Sequence, residues 1–187
     1  PPYRRDDLED LPPIARTVTA VSMMPTADWA RSSGQWADIV RAYSACVTFV
    51  DAQVGRVLDA LEASPYRDNT IVVLWSDHGY QLGEKNRFAK HALWREATRV
   101  ALIIDEVPVV DSEGKPVGLI DVYPSLVELC GLPAQARLEG RSLAPLLKDP
   151  EARWDRPVLT TYGRGNHAVT GERFRYLRYE DGSEELY

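Results

Sequence analysis

From Gly34 onward, apolar residues recur at three- and four-residue steps: Trp36, Ile39, Val40, Tyr43, Val47, Val50, Val54, Val57, Leu58 and Leu61. That spacing predicts one long helix with a single apolar stripe, because side chains three and four apart share a helix face. Ser64-Pro65 stops it, since a proline ring disfavours helical backbone at the preceding residue. The pattern then changes to a short unbroken apolar run, NTIVVLWSDHG (residues 69–79), rich in β-branched residues and closed by a polar turn. Such a run suits a strand buried on both faces of a parallel sheet. RVALIID (residues 99–105) is a second run of this kind. The polar, basic segment between them is too long for a hairpin loop and predicts a crossover. LIDVYPSLVELCGLP (residues 119–133) reads as a helix with Asp121 near its N-cap, Val122, Leu126 and Cys130 among its buried positions, and Gly131 with Pro133 as its stop.

The two ends have other textures. PPYRRDDLEDLPPIARTV lacks an apolar period and predicts an extended surface segment. AVTGERFRYLRYEDGSEELY alternates aromatic and charged residues around Gly171 and around Asp181-Gly182, the pattern of an antiparallel meander. Helix, buried strand, crossover, buried strand and helix in that order predict an α/β fold with a mostly parallel sheet flanked by helices, followed by a small antiparallel β segment.

Composition adds limits. With 187 residues, 44% of them hydrophobic, the chain can bury a sizeable core. A net charge of −6 argues against a general nucleic-acid or membrane-surface binder. The balance reverses locally, where Lys85, Arg87, Lys90, Arg95 and Arg99 face only Glu84 and Glu96. That stretch is either a solvated helix face or an approach for an anion. Cys46 and Cys130 lie in apolar periodic segments and read as packed thiols rather than a disulfide framework or a zinc cluster. No stretch approaches the ~18 apolar residues of a membrane span.

The candidate chemistry sits at the end of the first apolar run. In open α/β sheets ligands bind beyond the carboxyl ends of strands, and there Asp77 and His78 stand side by side before Gly79. Adjacent residues on a sharp turn can both reach one metal ion; the pair alone also fits a structural Asx turn with a solvent-facing histidine.

The surrounding residues are more specific. RAYSACVTFVDAQVGRVLDALEASPYRDNTIVVLWSDHGYQLGEKNRFAKHALWREATRVALII resembles type I sulfatases, and most closely the iduronate-2-sulfatase-like branch of the alkaline-phosphatase superfamily. The likeness continues through IDVYPSLVELCGLP and LEGRSLAPLL to DGSEELY. It implies that residues 1–157 are the C-terminal part of an α/β sulfatase domain and 158–187 the start of a small antiparallel subdomain. It also implies that Asp77 and His78 ligate a divalent cation, usually calcium, and that Lys90 contacts sulfate oxygens. By ligand chemistry alone a histidine suits zinc or manganese better than calcium. His167, in GRGNHAV, either touches substrate or leaving group or is a surface histidine in a glycine loop. His91 either supports the site from behind Lys90 or is merely exposed, the second being the preferred reading; Arg87 and Arg95 either line an anion's approach or solubilise a helix.

Sulfatases make their nucleophile, formylglycine, from a C/S-x-P-x-R motif, and neither Cys46 nor Cys130 has that context. Asp6-Asp7 sits among prolines and is rejected as the paired aspartate that would complete a metal shell. The resemblance therefore implies a C-terminal portion of a sulfatase acting on a sulfated small molecule or saccharide, with the nucleophile supplied by a missing N-terminal half. The isolated chain is expected to be inactive, to hold metal weakly and to self-associate through uncovered apolar surface. Export to the periplasm, cell exterior or lysosome is the family expectation. The alternatives are a two-metal phosphodiesterase or phosphatase of the same superfamily, with His167 at a second zinc, or a non-catalytic scaffold.

Overall fold

The computed structural model describes residues 7–104, 107–108 and 114–187; Asp6 and Asp105 lie outside them. Among the described residues, six α-helices, α1 (Pro13–Val18), α2 (Ala27–Ser32), α3 (Trp36–Glu62), α4 (Arg95–Thr98), α5 (Val122–Leu129) and α6 (Ala144–Lys148), accompany two sheets. The apolar stripe predicts α3 closely. The helix begins just after Gly34, which takes a positive φ of 75°, and ends before Ser64-Pro65. Its N-terminal third is covered: Trp36 and Ile39 pack against Ala27, Ala30 and Phe88. Beyond Tyr43, which stacks on Tyr80, the stripe is largely uncovered among the described residues, with Val50 56% and Val57 69% exposed.

The first sheet joins β1 (Val73–Trp75), β2 (Leu102–Ile104) and β3 (Val107–Pro108), each pair antiparallel, with Leu74 opposite Ile103. The parallel pairing and the crossover expected from the two apolar runs are therefore corrected. The connection holds only a 3-10 turn at Glu84–Asn86 and the four-residue α4. Without a helix to carry the chain to the far end of β1, it returns at the same end, which makes the strands antiparallel. Ser76 N donates to Ala101 O at 3.1 Å and continues the ladder. Nor is β1 buried on both faces: Leu74 and Trp75 are exposed, while Ile104 of β2 packs with Leu143, Leu146 and Trp154.

The second sheet is the predicted meander, β4 (Val158–Thr161), β5 (His167–Thr170), β6 (Arg175–Arg178) and β7 (Glu184–Leu186), paired in chain order. Registers Thr160–Ala168, Ala168–Leu177 and Leu177–Glu185 line up one inward row. Ala168 and Leu177 from this row form a core with Leu11, Ala15, Ala92, Leu93, Trp94, Ala97 and Tyr179. The meander thus grips the residues just after Lys90.

Three smaller expectations are also corrected. The start is not extended throughout: proline is tolerated in a helix's first turn, where its missing N–H costs nothing, and Pro13 opens α1, with Leu11 and Ala15 buried. Cys46 and Cys130 are exposed rather than packed, because Cys46 lies on the uncovered part of α3 and Cys130 caps the open end of α5. In α5 the enclosed positions are Ser125 and Val127, while Val122 and Leu126 are half-buried. Asp121 is the N-cap residue and Gly131 (φ 64°) the left-handed stop, as expected.

Candidate active site

β1 delivers the chain to a turn whose backbone is tightly held. Ser76 Oγ donates to His78 O at 2.9 Å, and Gly79 N donates to Ala97 O at 2.9 Å. Glycine is required at 79 for space rather than for an unusual φ. A Cβ there would lie 2.1 Å from the Glu96 carbonyl oxygen and 2.6 Å from that of Arg99.

This turn brings Asp77 and His78 together. The His78 ring Nδ1 sits 2.9 Å from Gly79 O. An N–H is needed to meet a carbonyl, so the proton is assigned to Nδ1 and the lone pair to Nε2. Nε2 is 3.4 Å from Asp77 Oδ2 and 2.6 Å from Lys90 Nζ, whose ammonium donates to it. A carboxylate oxygen, an imidazole lone pair and an ammonium, separated by 12 residues of irregular chain, meet at one exposed point. Asp77 and Lys90 are exposed and His78 half-buried, so a ligand can reach all three from solvent.

As a metal site the pair fits in part. One carboxylate and one imidazole with a correctly set lone pair are ordinary donors for a divalent cation. Among the described residues no three His, Cys, Asp or Glu side chains gather into a metal-binding group. Asp7 is engaged elsewhere: its carboxylate accepts from Lys85 N at 2.7 Å and pairs with Lys85 Nζ at 3.1 Å.

The basic stretch divides. Lys85 is turned inward to Asp7, and Arg87 donates to Thr19 O and lies 5.6 Å over the Trp94 ring. Burial holds the Arg87 guanidinium below its ordinary pKa, with Tyr162 opposing. These two side chains are posts within the loop, neither a solvated helix face nor an anion's approach; Lys90, Arg95 and Arg99 remain exposed. His91 is not simply exposed either. Its ring meets the edge of Tyr162 at 6.3 Å, and its Nδ1 is buried with no hydrogen-bond partner among the described residues.

His167 is not joined to the trio. It opens β5 next to fully buried Ala168, so strand alternation turns it to the outer face of the meander, where Nδ1 lies 3.0 Å from Thr161 Oγ1. Sequence reasoning missed Arg175 and Glu185, which reach the loop from the inner face. Arg175 Nε donates to Leu93 O at 2.9 Å, and Trp94 Nε1 donates to Glu185 Oε2 at 3.0 Å. For Arg175 the available signal was alternation, two residues from inward Leu177 on the same strand; Glu185 is placed on that face only by the register of β7 against β6.

Among the described residues no helix is long and apolar enough to cross a membrane. Residues 12–132 match the family model described as Sulfatase. A sulfatase of Formosa agariphila is 51% identical over 100% of this chain, and a delta 4,5-hexuronate-2-O-sulfatase of Bacteroides thetaiotaomicron is 31% identical over 88% of it. The chain spans 37% of the length of each. A solved structure described as a complex with its substrate D-glucosamine-2-N,6-O-disulfate matches with a TM-score of 0.68 and 27% identity, covering 83% of this chain and 35% of that one. Asp-His-Gly at the end of β1, Lys90 closing on His78 and a match of this extent agree: the chain belongs to the sulfatase family, with its α/β fold.

Proposed function

We propose that the intact protein hydrolyses sulfate esters of a sulfated saccharide, and that this chain supplies part of its active site. The observation that carries this reading is the meeting of Asp77 and Lys90 on His78 Nε2, at 3.4 Å and 2.6 Å, in a member of the sulfatase family. The saccharide class is supported by the relatives, one named for a hexuronate 2-O-sulfate and one solved with a sulfated glucosamine.

Asp77 Oδ2 and His78 Nε2 would hold a divalent cation, calcium by family resemblance, together with ligands from beyond this chain, the Lys90 ammonium leaving the Nε2 lone pair it occupies here for the sulfate. Such a cation, when bound, supplies positive charge that polarises a sulfate oxygen. Lys90 would donate from its ammonium to the sulfate oxygens and oppose the negative charge that builds as the S–O bond breaks. Gly79 O keeps the His78 proton on Nδ1, so Nε2 faces the ligand side. His167, on the outer face of the meander, remains a candidate contact for the sugar or leaving group. The nucleophile, formylglycine, would come from outside these 187 residues, since Cys46 lies within α3 and Cys130 at the end of α5, without the motif.

The test is turnover by the full-length protein of an aryl sulfate and of the matching aryl phosphate, with metal analysis. Sulfate hydrolysis with one calcium per chain supports the reading. Preference for phosphate with two zinc ions supports the two-metal phosphoesterase, and a folded protein that turns over neither supports a scaffold.

A further inference from the structure

Lys90 is an exposed residue on an irregular loop, and its flanks are anchored differently. On the upstream side the loop holds itself: Tyr80 OH donates to Phe88 O at 3.0 Å and Gln81 N to Ala89 O at 2.8 Å. On the downstream side the hold comes from the meander. Arg175 reaches Leu93 O through Nε at 2.9 Å and through Nη2, and is itself fixed by Nη1 donating to Thr170 Oγ1 at 2.6 Å. Glu185 is 8% exposed, and its carboxylate accepts from Tyr179 OH at 2.7 Å, Tyr187 OH at 2.5 Å and Trp94 Nε1 at 3.0 Å.

A buried carboxylate is costly unless donors surround it, and an apolar side chain would fill the same space without that cost. What the carboxylate adds is direction: it fixes the Trp94 indole by a bond to its one donor. Burial, and then hydrogen bonding to Glu185, raises the pKa of both tyrosines above the ordinary phenol value, so both remain protonated donors. Trp94 is the N-cap of α4 and lies four residues beyond Lys90, while Ala92 N donates to Lys90 O at 2.9 Å. The indole, the Leu93 carbonyl and Lys90 thus lie within one five-residue stretch, so a shift at Trp94 is passed along a short path to Lys90.

We propose that Glu185, with Arg175 beside it, is a positioning residue of the active site: it clamps Leu93–Trp94 to the meander and so sets where the Lys90 ammonium stands. The proposal rests on the sulfatase reading above. It gives the C-terminal meander a role in sulfate recognition although none of these meander side chains touches the ester.

The experiment uses the full-length protein and an aryl sulfate, with rates normalised to folded protein. Glu185→Leu is expected to lower kcat/KM by about 10²-fold, the scale of a misplacement near 1 Å. Glu185→Gln should stay close to wild type, because its amide oxygen can accept from Trp94 and Tyr187 while its nitrogen donates to Tyr179. In a Lys90→Met background Glu185→Leu should add no further loss, which a merely structural role would not produce. Trp94→Phe removes the single donor and should lower kcat/KM in the same direction if Glu185→Leu does not fold. Hydrogen exchange at residues 88–97 should quicken in Glu185→Leu and Trp94→Phe while α3 exchanges as in wild type. Unchanged exchange at 88–97, or an equal loss from Glu185→Leu with and without Lys90, overturns the proposal. A wild-type protein with no turnover counts against the sulfatase reading instead, and the clamp is then judged on exchange alone.

Discussion

Helix α3 spends 27 residues in one regular element and buries none of them, whereas residues 76–101 contain little more than a 3-10 turn and the four-residue α4. Yet that irregular segment holds Gln81, Phe88, Leu93 and Trp94, among the most enclosed side chains described. Helical order comes from local hydrogen bonds and propensity and needs no cover to be drawn by the sequence. The loop bonds irregularly within itself, as at Gln81 N to Ala89 O and Gly83 N to Arg87 O, and takes further holds from far away in the chain: Asp7, Thr19, Arg175 and Glu185. The candidate chemistry sits on the second kind of structure, where irregular bonds within the loop and holds from distant residues together aim a side chain.

That contrast can be broken first at the aimed residue. Lys90→Met in the full-length protein is expected to lower kcat/KM for an aryl sulfate by about 10²–10³-fold, as when one charge-stabilising donor is removed, with circular dichroism unchanged. Two glycines sharpen it next. Gly79→Ala would press a methyl into the Glu96 and Arg99 carbonyls and is expected to cost about 3 kcal/mol in chemical denaturation. Gly55→Ala on α3 meets no atom within 4 Å and should stabilise by about 0.5–1 kcal/mol. The bare stripe gives a smaller effect: Val50→Lys with Val57→Lys should change stability of the 187-residue chain by about 0.5 kcal/mol or less while converting self-associated chain to monomer in light scattering.

The smallest effect appears only at alkaline pH. Tyr179 and Tyr187 have folded-state pKa values raised above the unfolded value, chiefly by burial and then by Glu185. Their contribution is complete below an unfolded pKa of about 10 and is lost as pH rises beyond it toward the folded values. Thermal midpoints should therefore be level through neutral pH and fall above about pH 10, with a shallower fall in Tyr179→Phe.

The legible parts follow the same division. Three- and four-residue apolar steps foretell α3 to within two residues of its start, and alternation around Gly171 and Asp181-Gly182 foretells the four-stranded meander. Asp77 and His78 were legible as a polar pair closing an apolar run, with an Asx turn left open beside the metal reading, while the roles given to them and to Lys90 came from the resemblance to sulfatases. The direction of β2 against β1 was not legible, since an apolar run looks the same in parallel and antiparallel sheets; only the absence of a helix long enough to carry the chain back, α4 having four residues, decides. The inward turn of Lys85 and Arg87 was likewise hidden, because a count of charges does not say which find a buried partner. Glu185 reads as one more charge in a polar tail until the register places it opposite Leu177.

The central claim is that the residues at the end of β1 form one cation and sulfate site with Lys90. Metal analysis of the full-length protein, wild type against Asp77→Ala, tests it most directly. About one tightly held divalent cation per chain in the wild type, lost in the variant together with sulfate-ester turnover, is the predicted result; a variant that keeps both metal and turnover would contradict it.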